Sequence, residues 1–291
     1  MFAYKTYVHI TNIKRKLEIC MAEFLSLREA VSRYINDGDT VAMEGFTHLI
    51  PFAAGHEVIR QKKRDLTLIR MTPDLVYDQM IGAGCAKKLI FSWGGNPGVG
   101  SLHRLRDALE NGWPNSIEIL EHSHAAMACA YDAGAAGLPL AVLRGYIGSD
   151  LPKVNDQIKF IDCPFTGERL AAVRSVRPDV AVIHAQRADR NGNVLIEGIV
   201  GIQKEVVLAA KRSIVTVEEI VDNLDAGVNA CVLPSWAVTA IAEAPKGASP
   251  SYALGYYDRD NAFYKEWDGI ARDREAFQAW LEANVFEKGA A

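Results

Sequence analysis

The chain has 291 residues, 49% of them hydrophobic, enough to bury a large α/β core as one domain or two small ones. Lys+Arg 32 against Asp+Glu 36 leaves a net charge of -4, without the basic excess that favours polyanion binding, and the five scattered cysteines (Cys20, Cys85, Cys129, Cys163, Cys231) form no CxxC pair for zinc or a disulfide framework. No stretch approaches the roughly 20 apolar residues of a membrane helix, and the amino end lacks a signal-peptide core, so the expectation is a cytoplasmic protein with reduced thiols.

Residues 1–20 carry a basic cluster at Lys14-Arg15-Lys16 and no periodicity tied to the next helix. They read as an upstream extension, with a basic targeting arm as the alternative, and residues 21–291 as a single domain. Leu25, Leu27, Ala30, Val31 and Ile35 then give helical spacing behind Ser26, a good N-cap. Asp37–Ile69 reads as strand (Thr40–Met43), glycine-aromatic loop (Gly45-Phe46-Thr47-His48), helix from Pro51, basic turn and strand. Such a loop belongs at the carboxyl edge of a parallel sheet, where ligands bind in open α/β folds.

The alternation continues. Lys88–Ser92 is strand-like and runs into the glycine-rich Trp93–Gly100, then a helix over Leu102–Leu109; Ile117–Leu120 is a strand followed by Glu121-His122-Ser123-His124 and an Ala-rich helix, Ala125–Ala133. Leu151–Ser175 lacks clean periodicity and reads as an irregular excursion with a turn at Cys163–Gly167. Val180–His184 and Ile214–Val217 are buried-strand candidates, with helices near Gln203–Ala210 and Ser235–Ala242, and a tight turn over Asp189–Asn193. Phe277, Trp280, Leu281 and Val285 recur at helical spacing in the tail, Asp268–Phe286. The fold expected is an open, mostly parallel sheet with helices on both faces.

The run DGDTVAMEGFTH, the strand-loop LIFSWGGN, EILEHS followed by AGAAGLP, GSDL, DVAVIHAQRADRNGNV, KRSIVTVEEIV and WAVTAIAEAPKGASP together resemble the A (alpha) subunit of family I coenzyme A transferases, nearest the glutaconate CoA-transferase-like branch. The resemblance spans about Phe24 to Pro250. It implies a CoA-transferase/ribose-5-phosphate-isomerase-like fold, coenzyme A as substrate with no bound cofactor, and a homologous beta subunit. In that family a glutamate carboxylate, carried by the beta subunit, attacks the acyl-CoA thioester, giving an anhydride and then a glutamyl-CoA thioester.

This chain contains Glu110-Asn111-Gly112, a triplet like the one that carries that glutamate, but here it reads as a helix end with its C-cap. Glu121, directly after a strand, is the best match to an A-subunit glutamate with a catalytic role in hydrolase-like relatives that open steroid-derived rings; capping the next helix is the other reading. Gly45, Phe46, Thr47, His48, Gly94, Gly95, Asn96 and His124 are the expected substrate-binding and CoA-binding positions. Glycine at Gly94-Gly95 would admit an acyl or pantetheine chain and expose amides to an oxyanion. His48, His122 and His124 do not complete a four-ligand set, so no metal is expected. Short-chain 3-oxoacid transferases tend to carry Asn and Gln where Ala53 and Ala125 stand, and Glu44 replaces a glycine, which speaks against acetoacetate or succinate. Three readings remain open: an A subunit of a heteromeric CoA-transferase, an acyl-CoA hydrolase using Glu121, and a non-catalytic ligand-binding protein on the same fold.

Overall fold

The computed structural model describes residues 22–97 and 99–287, and the extension expected over residues 1–20 lies outside them. Ser26 caps the first helix as its position predicts: its hydroxyl accepts from the Glu29 amide at 3.2 Å, and the Glu29 carboxylate accepts from the Ser26 amide at 3.0 Å. The first half of the chain runs β1 (Glu23–Phe24), α1 (Leu27–Tyr34), β2 (Thr40–Met43), α2 (Phe52–Arg60), β3 (Leu66–Ile69), α3 (Leu75–Gly82), β4 (Ala86–Phe91), α4 (His103–Glu110), β5 (Glu118–Glu121) and α5 (His124–Ala135). Then come β6 (Leu140–Leu143), α6 (Leu151–Val154), β7 (Ile158–Asp162), β8 (Arg169–Arg174), β9 (Val180–Asp189), β10 (Val194–Ile196), α7 (Gln203–Ala209), β11 (Arg212–Val221), β12 (Cys231–Leu233), β13 (Ala240–Glu243), α8 (Asn261–Arg272) and α9 (Arg274–Leu281).

The main sheet has the order β1-β13-β11-β9-β2-β3-β4-β5, every neighbouring pair parallel, with β10 and β12 added antiparallel beside β9. From β2 the chain steps one way through β3, β4 and β5; from β9 it steps the other way through β11 and β13. Their junction is a topological switch point, and the loop leaving β2 opens beside it. Val41, Met43, Leu68 and Val182 face α2, α3, α4, α8 and α9, whereas Ala42, Ile69, Ala181 and Ile183 face α5 and α7. Successive strand residues point to opposite faces, so both sides of the sheet are apolar and covered.

Two expectations need correction, and one helix stands where none was expected. Leu151–Ser175 is not irregular: β7 and β8 pair antiparallel, and β8 pairs with β6, in a second sheet whose hairpin closes where the Gly167 amide reaches the Cys163 carbonyl at 2.8 Å. Only Ile158, Ala171 and Val173 of β7 and β8 are buried against Ala126 and Ala130 of α5, so the strands carry too few inward apolar residues to show a period. Ser235–Ala242 is not a helix; a short 3-10 turn at Ser235–Ala237 leads into β13, whose apolar run lies between β1 and β11. Helix α3 went unpredicted because all eight of its residues are buried, which leaves no polar face to reveal a helical period.

Buried polar groups tie the helices to the sheet edge. Asp78 on α3 accepts from the Leu105 amide of α4 at 2.9 Å and from the Trp267 indole of α8 at 3.0 Å, and burial pushes its carboxyl up to about 6. Glu44, just past β2, is buried; one carboxylate oxygen accepts from the Met71 amide at 3.0 Å and from the Tyr131 hydroxyl at 3.1 Å. Burial lifts its pKa from 4.5 to about 7 against the pull of Arg70.

Two measurements check this packing. A Cβ at Gly134 on α5 would lie 2.0 Å from the Val176 carbonyl oxygen, whereas one at Gly269, in the exposed middle of α8, meets nothing within 4 Å. Gly134→Ala is expected to lose about 1–3 kcal/mol and Gly269→Ala to gain about 0.5–1 kcal/mol in urea unfolding; equal signs contradict the close approach of α5 to the Val176 backbone. Glu44→Gln keeps the acceptor for Met71 and Tyr131 but abolishes the titration. The folded wild type holds the Glu44 proton up to about pH 7 while the unfolded chain releases it near 4.5, so rising pH through that window drains stability from the wild type only. The variant should therefore gain on the wild type by about 3 kcal/mol between those pH values, and a flat difference contradicts the buried acid.

Candidate active site

Four consecutive strand-to-helix connections, after β2, β3, β4 and β5, emerge at the same carboxyl edge because those strands are parallel neighbours. The β2 loop turns sharply at Gly45, where any Cβ would lie 2.6 Å from the Leu49 carbonyl oxygen. Thr47 and Leu49 both adopt left-handed backbone (φ 56° and 52°), conformations that non-glycine residues hold only when the surroundings impose them. Here the Leu49 amide donates to the Tyr252 carbonyl at 2.9 Å and the Ser251 hydroxyl to the Thr47 carbonyl at 3.0 Å.

Arg70, the first residue after β3, anchors the loop from below. Its Nη2 donates to the Gly45 carbonyl at 2.7 Å and its Nη1 to the Asp74 carboxylate at 3.1 Å, and both side chains are buried. The Asp74 and Glu44 carboxyls hold the Arg70 pKa above its ordinary value despite burial. Tyr77 completes the framework: its hydroxyl donates to the Ile69 carbonyl at 2.7 Å and accepts from the Met43 amide at 3.1 Å, joining the ends of β2 and β3.

Above this framework lies a cleft of about 290 Å³. Phe46 and Thr47 come to it from the β2 loop, Arg70, Thr72 and Asp74 from the β3 loop, Trp93 and Pro97 from the β4 loop, His124 from the first turn of α5, Arg259 from the approach to α8 and Tyr264 from its first turn. Phe46 and Trp93 are 45% and 48% exposed, which leaves two large aromatic faces open at the mouth. Gly95 permits the Trp93 pose, since a Cβ there would strike the indole at 2.7 Å.

The Ser92 hydroxyl has one hydrogen, which it donates to the Met71 carbonyl at 2.6 Å; its oxygen therefore accepts from His124 Nδ1–H at 2.8 Å. The chain places a proton on Nδ1 and orients the ring, leaving Nε2 with no partner among the described residues.

Of the residues expected at the site, the structure thus gathers Phe46, Thr47 and His124. Gly45, Gly94 and Gly95 shape the loops around the cleft. His48 does not reach it: the ring is fully buried, Nε2 accepts from the Leu254 amide at 3.0 Å, Nδ1 faces the Ile199 carbonyl at 3.3 Å, and burial pushes its pKa down. Asn96 is likewise turned inward, donating to the Tyr264 carbonyl at 2.7 Å and so tying the β4 loop to α8. Glu121 ends the edge strand β5 with an exposed side chain outside the cleft lining, and its carbonyl takes the Asn155 amide at 2.7 Å. His122 is buried between Asn155, at 3.2 Å from Nε2, and the Tyr146 hydroxyl, at 3.4 Å from Nδ1, and burial lowers its pKa to about 4. Glu44 points away from the cleft toward Tyr131, so it presents no charge to a ligand. Among the described residues no group of three or more His, Cys, Asp or Glu side chains is arranged to hold a metal ion.

Sequence reasoning missed Arg70, Asp74, Arg259 and Tyr264. Arg70 and Asp74 had a readable signal, since they follow a strand at the carboxyl edge. Arg259 had none: it reaches Pro97 across more than half the chain.

Residues 24–244 match the family model described as coenzyme A transferase. The chain is 73% identical over 265 residues to the A subunit of the 3-oxoadipate CoA-transferase of Pseudomonas knackmussii, covering 91% of this chain and 94% of that one. It is 33% identical to the A subunit of the glutaconate CoA-transferase of Acidaminococcus fermentans, over 92% of this chain and 89% of that one. The crystal structure of that glutaconate enzyme superposes with a TM-score of 0.82 at 32% identity, covering 91% and 89% of the two chains. A structure of the decarboxylase AibA/AibB superposes at 0.78 and 31% identity, covering 90% and 99%. The family-model match, the sequence likeness over nearly the whole described length and the superposition on the glutaconate enzyme lead to one assignment: the chain belongs to the coenzyme A transferase family.

Proposed function

We propose that this chain is the A subunit of a heteromeric CoA-transferase, moving coenzyme A between an acyl-CoA thioester and a dicarboxylic acid, with the nucleophilic glutamate supplied by a homologous beta subunit. One observation carries the reading: among the described residues the only carboxylate lining the cleft is Asp74, and it is buried and committed to Arg70. A carboxylate held that way is a poor nucleophile, so the attacking group has to enter from outside the chain. The relatives named for 3-oxoadipate and glutaconate, both dicarboxylates, support the choice of acid.

The rim suits a protein partner. Phe46, Ile199 and Leu254 are exposed apolar side chains; Leu254 lies against Gly198, Phe46 against Gly201, and the buried His48 bonds the backbones of Ile199 and Leu254. Several large apolar side chains left exposed beside a cleft suit an interaction face.

In this reading the partner's glutamate oxygen attacks the thioester carbonyl and CoA leaves as thiolate. The thiolate then attacks the glutamyl carbonyl of the anhydride, releasing the first acid. The second acid repeats the sequence in reverse, and the glutamate is regenerated. Amides with no acceptor among the described residues lie at Phe46, Thr47 and Gly94, available to a thioester oxyanion, whereas the Gly95 amide is committed to the Pro73 carbonyl at 3.1 Å. His124 Nε2 is left to hydrogen-bond the substrate or a partner side chain.

The test is reconstitution. The isolated chain should exchange no CoA between glutaryl-CoA and a second acid, and the complex with its beta subunit should. Glu121→Gln in the complex should stay within about threefold of the wild type, because a group acting in acid-base catalysis contributes about 10²–10⁴-fold. A loss of that size, with acyl-CoA hydrolysed when no acceptor acid is present, supports the hydrolase reading instead.

A further inference from the structure

The cleft holds two guanidinium groups in different states. Arg70 is neutralised by Asp74 behind it. Arg259 has no carboxylate partner among the described residues: its Nη2 makes one long contact to the Pro97 carbonyl at 3.4 Å, and its Nε is buried with no hydrogen-bond partner among them. Asp260, its neighbour in sequence, is occupied in capping α8 through the Phe263 amide at 2.9 Å. The guanidinium carbon sits 3.8 Å from the centroid of the Tyr264 ring, which positions the group while Nε and Nη1 keep no acceptor among the described residues. A buried, unfilled donor on a permanent cation costs stability unless something meets it.

From this geometry, and resting on the CoA-transferase reading above, we infer that Arg259 is the specificity-determining residue of the cleft: its guanidinium receives the carboxylate of the acyl group remote from the thioester. Three features fit that role. A planar fork matches a carboxylate with two hydrogen bonds, and the aromatic side chains of Phe46, Trp93 and Tyr264 line the cleft beside it, suited to the methylene chain of the acid. The volume, about 290 Å³, is at the small end for ligand pockets, suited to a short acid rather than to the nucleotide of coenzyme A. Asp74, the one carboxylate nearby, is already paired, so a second carboxylate entering beside Arg259 meets net positive charge.

The experiment uses the reconstituted two-subunit complex with glutarate and pentanoate, acids of equal length that differ in the remote carboxylate. The wild type should prefer glutarate, and Arg259→Met should collapse the glutarate-to-pentanoate ratio of kcat/KM by about 10–100-fold, as loss of a hydrogen-bonded charge pair implies. Arg259→Lys should restore part of the ratio, because it returns the charge without the fork. A wild type that does not discriminate, or a variant that loses both acids equally, overturns the inference, the latter placing Arg259 on coenzyme A or on the fold. Calorimetric titration of free glutarate into the wild-type and Arg259→Met complexes separates the two claims: weaker binding to the variant supports Arg259 even if no CoA transfer is found, and equal binding rejects it even if transfer is robust.

Discussion

Arg70 is 1% exposed, and the carboxyl edge of the sheet is organised around how its charge is met. Asp74 neutralises it from the head of α3, the Gly45 carbonyl takes a second donor, and Glu44 lies close enough to be pulled downward in pKa by it. A buried pair of this kind is a weak source of net stability, yet deleting one member costs about 3–5 kcal/mol because the other is left charged and dry. The position of the β2 loop and the integrity of the core under it are therefore one interaction. The left-handed Thr47 and Leu49 persist because the loop is held at both ends, by Arg70 below and by the Ser251–Tyr252 backbone beside it.

That framework decides what this chain contributes to chemistry. Arg70, Asp74, Glu44 and Tyr77 are occupied with one another, which leaves the cleft with oriented acceptors, free amides, aromatic walls and one unmet guanidinium, but with no free carboxylate among the described residues. A solved relative at 31% identity is a decarboxylase, so the fold alone does not dictate the reaction. The side chains at the cleft, and the groups that a partner brings to it, do.

Much of the fold was legible because strands such as Thr40–Met43 and Val180–His184 are apolar runs bounded by turn residues, and Ser26 announces its helix by capping chemistry. Legibility failed where burial was uniform or nearly absent. Helix α3 is dry all round, and the second sheet buries too little to show its period. Of the candidate cleft, the sequence pointed to the glycine-aromatic loop and His124, both local features that line it. His48 and Asn96 misled because residue type does not say which way a side chain turns; both are spent on backbone groups distant in sequence. Arg259 was silent since its meaning arises only when the approach to α8 is laid against the β4 loop.

The division of labour between the two chains is most directly tested by trapping the covalent intermediate. The reconstituted complex is incubated with glutaryl-CoA in the absence of acceptor acid, the two chains are separated, and each is weighed by mass spectrometry. A mass increase of one coenzyme A less one water on the beta subunit, as a glutamyl-CoA thioester requires, with this chain unmodified, is the predicted result. A coenzyme A adduct on this chain, at Glu121 or at any other of its carboxylates, contradicts the account.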